Sequence, residues 1–312
     1  MQQPGFDPGL TQQYSGKLRR AINPDGSFNV VRRGTDWRDV HPYLRLVTMS
    51  WARFFGVILM SYATVNIFFA CVYYLLGPDA LQGSMISDRH IDRFLSNIFF
   101  SSQTLTTVGF GAIAPRSHMA NLVAAFEALM GLLGFAVATG VLLGRVSKPS
   151  ARIGFSTKAL MTPYQDGYSF QFRIVNRRQN SLMELEATVT LMLVDPVDGV
   201  LRRDFKVLKL ERDRVLFFPL TWTIVHPIAA DSPMLGLTQA DLEKRQAEVL
   251  ILVKAWDETF SQTVHQRFSY RYDEIVWDGK FRPAFAINDN GDMVLEVGDV
   301  SAYNLAETKE LT

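Results

Sequence analysis

The run IDRFLSNIFFSSQTL, residues 91–105, leads straight into Thr106-Thr107-Val108-Gly109-Phe110-Gly111, and this junction decides the fold. Phe94, Leu95, Ile98, Phe99 and Leu105 recur at helical spacing,. A helix of that length reaches only roughly 22 Å at about 1.5 Å per residue, too short for a hydrocarbon core of about 30 Å. The glycine-alternating stretch behind it does not continue a helix. On either side stand two long apolar runs. Residues 54–76 (FFGVILMSYATVNIFFACVYYLL) carry no charge, and residues 119–144 (MANLVAAFEALMGLLGFAVATGVLLG) carry only Glu127. As helices both reach past about 30 Å and read as membrane spans. Non-helical backbone at membrane depth is tolerated only inside protein or along a watery path. A half-helix and an extended strand between two spans therefore read as a re-entrant pore loop.

The whole chain is consistent with that reading. Its 312 residues leave room for about two domains,. With 48% hydrophobic residues and a net charge of +1, it is neither a disordered chain nor a strongly basic nucleic-acid binder,. A single cysteine, Cys71, excludes an intrachain disulfide framework and a Cys-rich zinc site,. His41, His90, His118, His226 and His265 show no metal spacing, and no nucleophile triad, phosphate loop or dinucleotide fingerprint occurs. No enzymatic activity and no cofactor are expected.

Basic residues set the orientation. Lys17, Arg19, Arg20, Arg32, Arg33, Arg38, Arg45 and Arg53 precede the first span, and Arg145, Lys148, Arg152 and Lys158 follow the second. Both termini are expected in the cytoplasm, with residues 77–117 outside. The first run is no cleaved signal peptide: it starts after some fifty mostly polar residues and lacks a cleavage-site pattern,.

The domain reading is as follows. Residues 1–35 are a flexible N-terminal segment, and residues 36–50 an interfacial helix along the headgroups, with a plain polar linker as the alternative because Pro42 disturbs a long helix. Residues 51–148 form an all-α membrane pore domain: outer helix 53–76, pore helix 92–105, filter 106–111 and inner helix 118–146. Residues 149–312 are a cytoplasmic all-β sandwich with a C-terminal tail. In LMELEATVTLMLV, residues 182–194, Leu185, Ala187, Val189, Leu191 and Leu193 share one face,. Further strands are expected at 168–176, 205–210, 215–226, 248–255, 261–271 and 293–297, a pattern typical of a sandwich.

Potassium selection needs rings of backbone carbonyls that replace the ion's water. Carbonyls of Thr107, Val108, Gly109 and Phe110, with the Thr107 hydroxyl, would form such rings, and Gly109 and Gly111 permit the positive φ that turns carbonyls inward. One chain supplies one loop, so a closed pore needs a symmetric oligomer, most naturally four copies. Outside this context the same five residues could mark an ordinary turn.

These residues, together with Arg145-Val146-Ser147-Lys148-Pro149, Trp222-Thr223-Ile224-Val225-His226, Asp231-Ser232-Pro233 and Ser269-Tyr270 followed by Glu274-Ile275 and Trp277, resemble the bacterial inward-rectifier-type potassium channels (KirBac), relatives of the animal Kir channels. The resemblance covers about residues 36–285. It implies a homotetramer with an interfacial slide helix, two spans, a pore helix and an immunoglobulin-like cytoplasmic domain extending the pore. It also implies that Phe135, Thr139 and Leu143 line the cavity, with Leu143 at the gate; packing against lipid or a neighbour is the alternative. Gly131, Gly134 and Gly140 are either hinges or close-packing positions. Phe135 stands where strongly rectifying relatives place an acid, and Lys254 replaces another, which implies weak polyamine rectification. Block by polyamines or divalent cations remains open. Phe110 replaces the commoner tyrosine and removes a hydroxyl partner behind the filter.

Glu127 is expected either to make a structural hydrogen bond behind the filter, with Gln103 as partner, or to act as an ion site or pH gate. Arg38, Arg45, Arg53, Arg145, Lys148 and Arg152 would meet lipid headgroups, as plain anchors or as a regulatory site for anionic lipid such as phosphoinositides. The stretch Ala255, Trp256, Asp257, Glu258 and Thr259 looks like the family's loop that narrows the cytoplasmic pore. The rival functions are a weakly selective cation channel and a membrane-anchored sensor or adaptor.

Overall fold

The computed structural model describes residues 8–10, 13–14, 20–34, 36, 41–83, 89–148, 151–197 and 199–305. Contacts divide the chain into two units, one of residues Arg33–Lys148, the other of residues Pro149–Thr312 joined by Met1–Arg32.

The first unit is helical. Helix α1 (Pro42–Thr48) is only seven residues long. Pro42 occupies its first turn, where a missing N–H costs nothing, so proline starts this helix rather than disturbing it,. Of the longer interfacial helix expected over 36–50, Thr35 and residues 37–40 lie outside the described residues, and Met49 is already extended. Helix α2 (Trp51–Leu75) and helix α4 (His118–Val146) are the two apolar helices long enough to cross a membrane. Helix α3 (His90–Leu105) lies between them in sequence, and a two-residue pairing of Leu81–Gln82 with Ala114–Pro115 closes the base of the re-entrant segment. Ser117 caps α4, accepting a hydrogen bond from the Ala120 N–H,.

The second unit is a two-sheet β-sandwich. Its strands are β1 (Ile153–Phe155), β2 (Ala159–Tyr164), β3 (Gly167–Asn176), β4 (Leu182–Val197) and β5 (Val200–Val207). They continue with β6 (Arg214–Phe217), β7 (Thr221–Pro227), β8 (Glu248–Asp257), β9 (Gln262–Arg271) and β10 (Ile275–Trp277). One sheet runs Gln13–Tyr14, β5, β4, β8, β9, with β6 also paired to β4. The other runs β7, β3, β2, β10, with β1 on β3. Between them lies one core that includes Phe170, Phe172, Ile174, Leu185, Val189, Leu191, Val249 and Tyr270.

Several expected strands are revised. The strand placed at 205–210 is β5, shifted toward the N-terminus because Gly199, at φ +76°, makes a tight hairpin from β4. The strand placed at 215–226 is two, β6 in one sheet and β7 in the other. Pro219 lies in the break, and a residue without an N–H cannot sustain the ladder,. Strands β1, β2 and β10 escaped a search for alternation; in β2, four consecutive residues from Ala159 are buried, so no polar face marks them. The C-terminal part is not merely a tail: Gly279–Phe281 pairs with Tyr303–Leu305, and Phe285–Ile287 with Met293–Leu295. The N-terminal segment is not flexible throughout either, because Ile22 is 4% exposed and packs with Met192, Phe205 and Leu250 of the sandwich.

Candidate ion-conducting pore

The C-terminal turn of α3 leads into the stretch expected to be the filter. The Thr106 N–H and hydroxyl both turn back to the Ser102 carbonyl, at 3.1 and 2.7 Å, and the Thr107 N–H donates to the Thr104 carbonyl at 3.0 Å. The Gly109 N–H then reaches the Gln103 carbonyl at 3.2 Å, folding the extended strand against the helix end. Thr107, Gly109 and Gly111 have φ of +59°, +54° and +77°. Every second residue is therefore left-handed, which aims successive carbonyls toward the same side. Two of these positions are glycine, where the conformation is free. At Thr107 it costs about 1–2 kcal/mol, and only the surrounding contacts hold it. Thr107, Val108, Gly109, Phe110 and Gly111 are all exposed in the single chain, Phe110 to 75%. The partially negative C-terminus of α3 lies beside them and favours a cation.

Behind the filter the structure replaces the expected Gln103–Glu127 pair. The Glu127 side chain is 0% exposed and accepts hydrogen bonds from the Tyr73 hydroxyl of α2, at 2.7 Å, and from the Ser101 hydroxyl of α3. Ser101 also lies 3.1 Å from the Asn66 amide oxygen, and the Asn66 amide donates to the Tyr62 carbonyl at 2.8 Å. The Tyr62 hydroxyl is 2.5 Å from Ser102. Gln103 takes no part, and its amide oxygen is buried without a partner among the described residues. The physical reason is position: Ser101 and Phe100 are buried in α3, and Tyr73 meets Phe100 edge to face at 5.0 Å, so these two bring hydroxyls to Glu127. Tyr73, Asn66 and Ser101 were missed because they read as ordinary span residues. The signal was a lone intramembrane acid with hydroxyl-bearing residues on the two flanking helices.

On α4, Phe135 is 74% and Leu143 65% exposed, and Thr139 is exposed with them. Gly131 is a close-packing position rather than a free hinge: a Cβ there would collide with the Leu105 carbonyl at the end of α3. Gly134 and Gly140 face open space. Gly144 lies against the Tyr43 hydroxyl of α1.

The six cations expected at headgroups separate. Arg45, Arg53, Lys148 and Arg152 are exposed, and Arg38 lies outside the described residues. Arg145 is engaged within the protein. Its guanidinium donates to the carbonyls of Leu46 and Met49, the latter at 2.7 Å, and lies 4.5 Å and 4.7 Å from the ring centroids of Trp51 and Phe54. It therefore bolts the end of α4 to the α1–α2 corner.

The expected pore-narrowing stretch lies at the β8–β9 hairpin. Ala255, Trp256 and Asp257 belong to β8, with Ala255 at 1% exposure in the core. Only Glu258 and Thr259 lie in the hairpin turn. Asp257 is 0% exposed and ties that turn, accepting from the Asn180 amide at 2.8 Å and the Thr259 N–H at 3.0 Å. A carboxylate so engaged shapes the hairpin and is not presented to passing ions.

Two motifs of the sandwich have clear local roles. The His226 ring is 2% exposed, with Nδ1 2.6 Å from the Lys209 carbonyl and Nε2 2.8 Å from the Ser232 hydroxyl. Burial holds its basicity below the usual histidine range, although the Lys209 carbonyl and Asp231 pull the other way,. The Trp222–His226 and Asp231–Pro233 stretches thus meet in one buried hydrogen-bond network.

Comparison with known proteins agrees with both units. A family model described as "Ion channel" matches residues 62–148, and one described as "Inward rectifier potassium channel C-terminal domain" matches residues 153–310. Over 283 residues, 89% of this chain and 94% of the relative, the sequence is 34% identical to the inward rectifier potassium channel Kirbac3.1 of Paramagnetospirillum magnetotacticum. It is 24% identical over 297 residues, 88% of this chain and 69% of the relative, to the G protein-activated inward rectifier potassium channel 2 of Homo sapiens. With both of its units matched and 34% identity over most of its length, this chain belongs to the inward rectifier potassium channel family.

Proposed function

We propose that four copies of this chain form a potassium-selective channel that conducts passively across a bacterial inner membrane, both termini facing the cytoplasm. The observation that carries the reading is the alternation of left-handed backbone at Thr107, Gly109 and Gly111 at the end of a half-helix. Such backbone supplies stacked carbonyls and nothing else of chemical use. Four leucines at Leu143 would close a narrow apolar tube and gate it by dewetting. Phe135 offers no negative charge to a polyamine, so rectification is weak. Arg45, Arg53, Lys148 and Arg152 are the cations available to anionic headgroups, each worth about 1 kcal/mol near such a surface.

Reconstitution of the full chain in liposomes, with Rb+ and Na+ uptake measured side by side, tests this. Rb+ uptake well above Na+ is expected. Equal uptake would support the weakly selective channel, and no uptake in any lipid would support the membrane-anchored adaptor. Leu143→Ala should raise Rb+ flux, and cytoplasmic spermine should block only weakly. Tight voltage-dependent block would overturn the role given to Phe135.

A further inference from the structure

The Tyr62–Ser102 pair makes no contact with Glu127 itself, yet it sits at the root of the stretch read as the filter. A hydroxyl in a helix readily turns back on its own backbone, to the carbonyl four residues earlier. Thr64 does so at 2.8 Å to Met60, Ser96 at 3.0 Å to Asp92 and Thr106 at 2.7 Å to Ser102. The Ser102 hydroxyl instead leaves α3 and meets the Tyr62 hydroxyl of α2 at 2.5 Å. The backbone of Tyr62 is anchored in turn, because the Asn66 amide donates to its carbonyl at 2.8 Å.

Ser101, the residue before, also reaches out of α3, toward Glu127 of α4 and, at 3.1 Å, the Asn66 amide oxygen of α2. Consecutive residues point about 100° apart around a helix axis. One anchored side chain lets a short helix roll about it, whereas two anchors at such an angle fix the roll. The backbone that follows cannot escape that roll. The Ser102 carbonyl receives both the N–H and the hydroxyl of Thr106, and the Gln103 carbonyl receives the Gly109 N–H at 3.2 Å. Both carbonyls belong to the last turn of α3, so residues 106–109 turn with it. Thr107 already stands at φ +59°, a conformation that a β-branched residue keeps only when its surroundings impose it,. We propose that the Tyr62–Ser102 bond sets the roll of α3, and that Tyr62, on the outer helix, is thereby a positioning residue for ion selectivity. It acts through Ser102 and the Thr106–Thr107 backbone without touching an ion. The assignment rests on the reading of residues 107–111 as a potassium filter.

The test is the ratio of Rb+ to Na+ uptake in liposomes holding the full-length channel, with Tyr62→Phe, Ser102→Ala and the double variant beside the wild type. Tyr62→Phe removes one oxygen and keeps the ring. A neutral hydrogen bond accounts for about two- to tenfold in an equilibrium, and in the proposed assembly four such bonds bear on one filter. The ratio should fall about tenfold in each single variant and no further in the double, because either change alone opens the same bond. A bond that served folding alone would lower the amount of channel recovered and leave the ratio of the inserted channel unchanged, and that result would overturn the proposal. Losses that multiply in the double variant would overturn it too, since the two hydroxyls would then act apart. Ser102→Ala carries the test if Tyr62→Phe fails to fold. A wild type that takes up Rb+ and Na+ equally would overturn the potassium reading of the filter and the role of Tyr62 with it. A selective wild type matched by an equally selective Tyr62→Phe would remove the role of Tyr62 alone.

Discussion

In β4 the side chains of Leu185, Val189 and Leu191 are 0% exposed within one chain, whereas in α4 Phe135 is 74% and Leu143 65% exposed. The contrast extends over both units. The sandwich closes its own core between two sheets. In the most apolar stretches of α2 and α4, only 17% and 6% is buried. Apolar surface left open on this scale needs another solvent or other copies. The β-sandwich is thus complete as a single chain. The membrane unit leaves its apolar faces open, and in the function proposed above they are covered by lipid on one side and by copies of the chain on the other. What the single chain does complete in that unit is a small polar centre, Glu127 with Tyr73 and Ser101, and the backbone of the filter. Substitutions that act through assembly should therefore strike the membrane unit and leave the sandwich intact.

The largest effect belongs to Gly109→Ala. No atom of the same chain lies near a Cβ there, so within the chain the cost is conformational, about 1–2 kcal/mol for a left-handed residue,. In a four-fold ring that becomes roughly 4–8 kcal/mol at a single site, more than the about 2.7 kcal/mol that a hundredfold change requires. Rb+ flux should fall at least about a hundredfold. The thermal unfolding of the sandwich should not move.

Gly131 and Gly134 separate packing from hinging. Gly131→Ala drives a methyl group into the Leu105 carbonyl, a backbone atom that cannot rotate away. About 1–3 kcal/mol per chain is expected from such overpacking, read as earlier thermal unfolding of the detergent-solubilised protein. Gly134→Ala meets no atom of its own chain and should leave that unfolding nearly unchanged. Equal behaviour of the two variants would break the assignment of Gly131 to the contact with α3.

How much of this was legible from the residues differs between the two units for a physical reason. The spans, the half-helix and the filter follow from hydropathy and glycine placement, which are local. The partners of Glu127 do not, because Tyr73, Asn66 and Ser101 lie on α2 and α3 and meet only in space. Arg145 looked like a headgroup cation because its sequence neighbours are those of a span end; its acceptors are carbonyls of the α1 corner, which no side-chain pattern reveals. Residues 20–28 read as part of a flexible segment because Ile22 is their one deeply buried apolar side chain and residues 23–27 are Asn, Pro, Asp, Gly and Ser. In β4 the alternation was plain, yet Met192 on the far face is 2% exposed because Ile22 covers it.

Glu127 tests the polar centre directly. Glu127→Ala leaves the Tyr73 and Ser101 hydroxyls without their acceptor, at about 1–3 kcal/mol for each buried group,. The detergent-solubilised channel should melt earlier and select less sharply between Rb+ and Na+. Glu127→Gln keeps an acceptor oxygen and the same volume, and should recover most of both. If alanine and glutamine behaved alike, the carboxylate itself would be required, and the ion-site reading of Glu127 would regain its standing.

The smallest effect lies in the sandwich, and it checks that the two units respond separately. His226 is neutral in its buried network: Nδ1–H donates to the Lys209 carbonyl, and Nε2 accepts from Ser232, whose oxygen also takes the Met234 N–H at 3.1 Å. A second ring proton would force the Ser232 hydroxyl to turn away. Burial lowers the folded pKa below the ordinary value of 6.5, so as the pH falls through that value the unfolded chain binds the proton first,. Stability is therefore fully present above about pH 6.5 and declines below it, by at most about 1.4 kcal/mol per pH unit for one histidine, until the folded ring also titrates. Thermal melts between pH 8 and pH 5 should show this slope in the sandwich transition of the wild type, and a shallower one in His226→Gln, which starts from lower stability. A slope unchanged by the substitution would assign the acid sensitivity to carboxylates elsewhere. A matching shift in the membrane-unit transition would show that the units do not unfold apart, and the comparison between them would fail at its weakest point.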